Sequence, residues 1–239
     1  MTGTFIPNIT ILPPAQRRLW SQMAATVDLG FVLYGGTAIA LRLGHRTSVD
    51  FDFFSTDALD RGALRDALPF LKRATVLQDQ PDTWTVLTAD EAPDSPTVKL
   101  SFFGGTDFGR VGEPDVTDDG VLQVAALDDL MATKVKVVLQ RVEAKDYRDV
   151  AAMTAAGVSL SRGLAAARVM FGPAFQPSEA LKALTYFEDG DLETLSGEDR
   201  RRLIEAVRAV RDLPDVSRAS DRLERAVRRR GHEPDARGP

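Results

Sequence analysis

The chain has 239 residues, 44% of them apolar and 27% charged, with a formal net charge of −5. This is enough apolar content for an ordinary buried core, and too acidic a balance for a protein that coats nucleic acid indiscriminately. The absence of cysteine excludes disulfides and Cys-ligated zinc, and with no apolar run near the roughly 20 residues of a membrane span and no signal-peptide order at the N-terminus, the sequence reads as cytoplasmic, without a membrane partner.

Pro13-Pro14 opens a segment through residue 27 in which Leu19, Met23 and Val27 step by four, predicting an amphipathic helix laid against a sheet. Residues 31–34 form a short apolar run, Gly35-Gly36 a tight turn, and residues 37–43 a run of helical composition, so the expected order is strand, turn, helix. Backbone N–H groups at such a helix start are unpaired and bind anions, and paired glycines place no side chain between them and a phosphate oxygen. In Asp50-Phe51-Asp52-Phe53 the carboxylates and rings alternate, so a strand here has one acidic and one apolar face.

Like charges about 7 Å apart repel by roughly 2 kcal/mol at an effective dielectric of about 20, so a cation is expected between Asp50 and Asp52. Hard oxygen ligands suit Mg²⁺, with Mn²⁺ as the alternative, sharing its coordination with substrate phosphates. The combined expectation is a nucleoside triphosphate at Gly35, Gly36 and Thr37, bridged by metal to Asp50 and Asp52. A Gly-Gly turn or an Asp-x-Asp edge is, taken singly, common in chains that bind nothing. Their occurrence together, within strand, turn, helix and strand, is what points to a site.

Residues 56–71 are expected as a helix with Asp57 or Asp60 near its start, followed by strands at 74–77, 83–87 and 97–103, separated by Pro81-Asp82 and Pro93-Asp94-Ser95-Pro96. Gly104-Gly105 to Gly120 is loop-rich, with a last strand at 121–124. Beyond Ala125 the pattern is almost wholly helical, broken at Gly157, Gly172-Pro173, Gly190, Pro214 and Gly231. The expected fold class is α+β: a mixed β-sheet flanked by helices over residues 1–124, then a C-terminal helical bundle over residues 125–239. If residues 127–140 are one helix, Lys134, Val138 and Arg141 share a stripe, which Lys145 continues only if the helix runs unbroken. That stripe suits a triphosphate, the alternative being a solvated face with i to i+4 pairs; Lys136, on the other side, is read as solvated.

Gly35-Gly36-Thr37, Leu41-Arg42-Leu43-Gly44-His45-Arg46 and Ser48-x-Asp50-x-Asp52-Phe53-Phe54 resemble the first motif of the AbiEii/AbiGii family of nucleotidyltransferase toxins, which has the DNA polymerase β-like nucleotidyltransferase fold. Asp129-Leu130-Met131-Ala132-Thr133-Lys134, then Arg141, then Lys145-Asp146-Tyr147-Arg148-Asp149-Val150, is similar to that family's helical segment with a lysine, an arginine and a terminal Lys-Asp pair. A looser third match covers residues 180–189. The resemblance implies a metal-dependent nucleotidyltransferase, in which an acceptor hydroxyl attacks the α-phosphorus of an NTP in line and pyrophosphate leaves. It also implies a toxin-like role in a toxin–antitoxin or abortive-infection system, an RNA acceptor such as the 3′ end of tRNA, and a cognate antitoxin encoded elsewhere. Lys134 is then a catalytic residue and triphosphate contact, and Asp146 either a supporting carboxylate or a ligand to the nucleotide's polar groups. Arg46 and Ser48, between the glycine turn and the carboxylates, are phosphate contacts on the same pattern. The alternatives are transfer to a small molecule or protein hydroxyl, and an inactive nucleotide- or partner-binding module.

The wider superfamily draws a third carboxylate from a later strand, but Val98-Lys99-Leu100-Ser101-Phe102-Phe103 carries none, and Ser101 stands where an acid is expected. Either two carboxylates suffice, or a loop acid such as Asp107 substitutes, or activity is lost; without a third acid, deprotonation falls to metal coordination or Asp52. His45 is read as a helix-end cap, a partner to a site residue or an exposed group, and with His232 the sole other histidine a histidine metal site is not expected. Tyr147 and Tyr186 offer ring faces for a base or belong to the core. Arg200-Arg201-Arg202 and Arg228-Arg229-Arg230 either track an RNA backbone or, among Glu198, Asp199, Glu205 and Glu224, lie on solvated helices.

Overall fold

The computed structural model describes residues 3–88 and 96–225, so Pro93 to Ser95, Arg228-Arg229-Arg230, Gly231 and His232 lie outside the described residues. Strand β1 (Thr4–Phe5) precedes helix α1 (Pro14–Leu19), a 3₁₀ stretch (Trp20–Ala24) and the one-turn α2 (Ala25–Asp28). The single helix expected over 14–27 is therefore broken, and its buried side is Gln16, Trp20, Met23 and Thr26 rather than Leu19, Met23 and Val27. The three-residue turn of the 3₁₀ stretch shifts the stripe, while the Trp20 indole N–H is fixed on Asp119 at 2.6 Å.

Strand β2 (Val32–Tyr34) runs directly into α3 (Gly35–Leu43), which Gly44 ends in the left-handed conformation at φ 64°. In β3 (Asp50–Phe54), Phe51 and Phe53 are fully buried and alternate with the two aspartates. Asp60 then caps α4 (Arg61–Ala67), accepting the Ala63 N–H at 2.9 Å. The helix expected through residue 71 is cut short because Pro69 follows and turns the chain into a 3₁₀ segment. Strand β4 (Thr75–Gln80) continues three residues past the expected 74–77, while β5 (Thr83–Leu87) and β6 (Lys99–Phe103) lie within the expected runs. Strand β7 (Asp115–Thr117) sits inside the loop-rich stretch, and β8 (Gln123–Val124) ends the sheet segment. With two or three residues each, β1 and β7 are too short to show a period.

The eight strands of the described residues form one mixed sheet in the order β1-β7-β8-β2-β3-β6-β5-β4. At its centre β2 pairs antiparallel with β3, Tyr34 opposite Asp52, and β3 pairs parallel with β6, Asp50 opposite Lys99 and Asp52 opposite Ser101. Helices α5 (Leu127–Val137), α6 (Ala144–Ala155), α7 (Leu160–Phe171), α8 (Pro177–Ala183) and α9 (Gly197–Ala209) follow. The class is α+β. Helix α5 stops short of Gln140: Val135, Val137 and Val138 are β-branched, and the chain tightens so that the Gln140 N–H donates to the Val137 carbonyl at 2.8 Å. Lys145 consequently sits on a different helix and pairs with Glu143 at 2.7 Å.

Apolar packing is continuous from sheet residues such as Leu33 and Phe51 to Leu130 and Val150 of the helices. Arg42, at the end of α3, ties that helix to the sheet: it pairs with Asp115 at 2.8 Å and donates to the carbonyls of Val124 and Ala125. The last described residues return to the sheet, where Leu223 is fully buried and its N–H donates to Thr56 Oγ1 at 3.0 Å. No helix among the described residues is long and apolar enough to cross a membrane.

The β2–β3 register places the Gly35 backbone against Asp52. A Cβ at Gly35 would lie 2.6 Å from Asp52 Oδ2, and the residue has φ 73°. An L side chain in that conformation costs about 1–2 kcal/mol before any clash. Gly35→Ala is expected to lower the free energy of unfolding by about 2 kcal/mol, read as a reduced urea midpoint at unchanged slope.

Candidate active site

Helix α3 begins on Tyr34 with no side-chain cap, so the N–H groups of its first turn have no side-chain partner. Gly35 and Gly36 line a cavity of about 270 Å³ that also receives Asp52 and Lys134. One wall is aromatic: Phe54 stacks on Phe103 with centroids 4.5 Å apart, and Tyr34 meets Phe54 edge-on at 5.3 Å. Thr133, Val137, Gln140 and Arg141 form the opposite wall, carried by α5 and the turn after it.

Burial raises the Asp52 carboxyl above its ordinary range and the neighbouring Asp50 raises it further, while Lys99, Lys134 and a hydrogen bond with Ser101 oppose the shift. Asp50 lies at the start of the strand, partly exposed, and pairs with Lys99 Nζ at 3.0 Å. Asp107 is exposed and does not line the cavity. Among the described residues no three Asp, Glu, His or Cys side chains converge on one point. The donor set is therefore two carboxylates on one strand face, with a hydroxyl beside Asp52. It fits a Mg²⁺-type cation that keeps waters and shares its ligands with substrate phosphates, not one caged by protein.

Lys134 is buried, and its ammonium sits 2.6 Å from Asp146 Oδ1 and 2.7 Å from Asp149 Oδ2. One of its N–H donors is committed to Asp146, its charge is shared with Asp149, and the residue lines the cavity. Asp146 is fully buried behind that wall and also accepts from Arg141 Nε at 2.8 Å. Asp149, likewise fully buried, accepts from His45 Nε2 at 2.8 Å and from Arg46 Nε at 2.6 Å and Nη2 at 2.9 Å. Burial alone would raise both carboxyls. The hydrogen bond from His45 and the charges of Lys134 and Arg46 reverse this at Asp149, Arg141 and Lys134 reverse it at Asp146, and both end below the usual range.

Of the residues singled out from sequence, Gly35, Gly36, Asp52 and Lys134 meet at the cavity, while Thr37, Arg46, Ser48 and Asp146 stand behind its wall. Thr37 Oγ1 and Ser48 Oγ are hydrogen-bonded at 2.8 Å, and Thr37 also donates to the Asp50 carbonyl, a latch that fixes the start of β3 to α3. Arg46 holds Asp149 so closely over Gly36 that a Cβ there would collide with its guanidinium. Tyr147 is core and Tyr186 is exposed elsewhere, so neither offers its ring to this cavity. Sequence reasoning missed Asp149, Tyr34, Phe54, Phe103, Gln140 and Lys99. The available signal for Asp149 was its position three residues beyond Asp146 on one helix face.

The architecture is that of a nucleotidyltransferase. A protein of H. pylori assigned as a nucleotidyltransferase superposes with a TM-score of 0.55 at 19% identity, over 81% of this chain and 92% of its own. MenT4, a nucleotidyltransferase toxin from Mycobacterium tuberculosis H37Rv, gives a TM-score of 0.56 at 14% identity over 82% of each chain. The family described as nucleotidyl transferase AbiEii toxin, type IV TA system, matches residues 18–226, and the chain belongs to that family. An uncharacterized protein of Aquifex aeolicus (strain VF5) is 31% identical over 121 residues, 50% of this chain; the match spans about half (55%) of that relative's length.

Two predictions concern the buried charges. Asp149→Ala leaves Lys134 and Arg46 without their shared carboxylate and is expected to cost about 3–5 kcal/mol by urea denaturation. The second concerns Asp129, near the start of α5. Burial pushes its carboxyl up to about 6, although it accepts the N–H groups of Val111 and Gly112. Because the folded value is raised, this group's contribution is most favourable below about pH 4 and is lost as pH rises to about 6. Asp129→Asn should flatten that part of the stability–pH curve, while the opposite loss in acid below about pH 4, from Asp146 and Asp149, should persist.

Proposed function

We propose that the chain transfers a nucleoside monophosphate from an NTP to an acceptor hydroxyl with release of pyrophosphate, acting as a toxin. The observation that carries this reading is the apposition of Gly35, Asp52 and Lys134 in one cavity at an uncapped helix start. Asp50 and Asp52 are the residues that would hold a Mg²⁺ or Mn²⁺ ion. When bound, that ion supplies charge neutralisation and orientation of the phosphates.

The first-turn N–H groups of α3 and the Lys134 ammonium bind phosphate oxygens, and Lys134 faces the charge that develops on pyrophosphate. The Phe54–Phe103 pair gives a flat apolar face for a base, and Thr133 and Gln140 offer polar groups to its edge. The acceptor oxygen attacks the α-phosphorus as the bond to the β-phosphate breaks, and its proton passes to a carboxylate oxygen of Asp52. Arg46 and Asp146 act by holding Lys134 in place through the buried carboxylates, and Ser48 acts through Thr37.

Family membership supports a cognate antitoxin as partner, and the acceptor we propose is an RNA such as the tRNA 3′ end. A second reading, a nucleotide-binding module without catalysis, is favoured by Ser101 in the place of a third acid. Incubation with each labelled NTP, Mg²⁺ and total RNA separates the two: label should enter RNA. Asp52→Asn should lower the rate about 10³-fold and Lys134→Ala about 10²-fold. Growth arrest on induced expression should disappear with Asp50→Ala. Label in neither RNA, protein nor a small molecule selects the binding module.

A further inference from the structure

Strand β6 lies in register beside the acidic strand, and its site-facing residues are Lys99 and Ser101 rather than an acid. Lys99 is directly opposite Asp50, and its ammonium lies 3.0 Å from Asp50 Oδ2. Asp50 is the outer member of the pair: its side chain is 31% exposed and it does not line the nucleotide cavity, whereas Asp52 does. The lysine therefore sits at the outer, partly exposed end of the acidic pair.

A pair of divalent ions about 3.5–4 Å apart needs carboxylates on both sides to offset four positive charges. Here two carboxylates face a fixed ammonium. We propose that Lys99 takes the place of a second metal ion: its ammonium occupies the outer oxygen of Asp50, so the site holds one divalent cation, delivered with the nucleotide on the Asp52 side. This inference rests on the nucleotidyltransferase reading above. Lys99 is a positioning residue on that view. It keeps Asp50 oriented along the strand face and sets a permanent positive charge beside the pair without needing a third acid. It also competes with the bound ion, because an ammonium near the same carboxylates weakens their attraction for any other cation.

Ions bound can be counted directly by titrating the full chain with Mn²⁺ in the presence of a non-hydrolysable NTP analogue and recording free Mn²⁺ by EPR. Wild type is expected to take up one nucleotide-dependent Mn²⁺ per chain. Lys99→Gln, which removes the charge and adds no strong ligand, should still take one but bind it about tenfold more tightly. Lys99→Glu, at a partly exposed strand position, should take two. Two ions on wild type, or an affinity unchanged or weakened in Lys99→Gln, would overturn the assignment while leaving the nucleotidyltransferase reading intact. One ion on a Lys99→Glu chain with the wild-type melting curve would do the same. Absence of any nucleotide-dependent uptake by wild type would remove both readings together.

Discussion

The antiparallel pairing of β2 on β3 decides where every group of the site can stand. Tyr34 is opposite Asp52, so the next residue must leave the sheet beside a carboxylate, and only a residue without a Cβ fits there. The helix starts at once, and its uncapped N–H groups lie next to that carboxylate. The two features ask for opposite charges. A bare anion at the helix start meets Asp52, and a bare cation at Asp52 meets the N–H dipoles. A polyphosphate carrying its own cation satisfies both, each half of the ligand answering one half of the site.

Behind the cavity, a buried ionic network fixes Lys134. Asp149 gathers donors from His45 and Arg46, which follow α3, and from Lys134 of α5, while Asp146 joins Lys134 to Arg141. Both carboxylates are fully buried, and ion pairs in such places seldom stabilise more than apolar residues of the same volume would. Stability therefore does not account for the cluster. Its effect is geometric: a flexible four-carbon side chain is held between two carboxylates from one helix, which fixes where its charge stands at the cavity.

The centre of the fold was legible because its signals are local. Alternation in Asp50-Phe51-Asp52-Phe53 fixes two faces regardless of what pairs with them, and Gly35-Gly36 marks a turn by steric necessity. What was lost depends on partners distant in sequence. Position and the family resemblance placed Arg46 and Ser48 near phosphate, but the guanidinium turns inward to Asp149, about a hundred residues away in the chain, and the hydroxyl to Thr37. Tyr34, Phe54 and Phe103 carried no local mark of a site, since an aromatic on a strand gives no sign that its neighbour on the next strand leaves one ring face open. The arginines of α9 resolve as internal contacts in part: Arg200 donates to the carbonyls of Leu192 and Glu193, and Arg202 pairs with Glu198.

The charge balance around the cavity explains how such a site can discriminate. Four carboxylates, Asp50, Asp52, Asp146 and Asp149, are matched by four fixed cations, Lys99, Lys134, Arg46 and Arg141. With no net charge among these eight groups, they do not themselves draw in free phosphate or free metal from a distance. Affinity must come from short, directional contacts, which reward a ligand whose own charges are spaced to match. Phosphate oxygens at the start of α3, with a cation one strand-width away at Asp52, have that spacing. An isolated phosphate or an isolated cation meets only half of it.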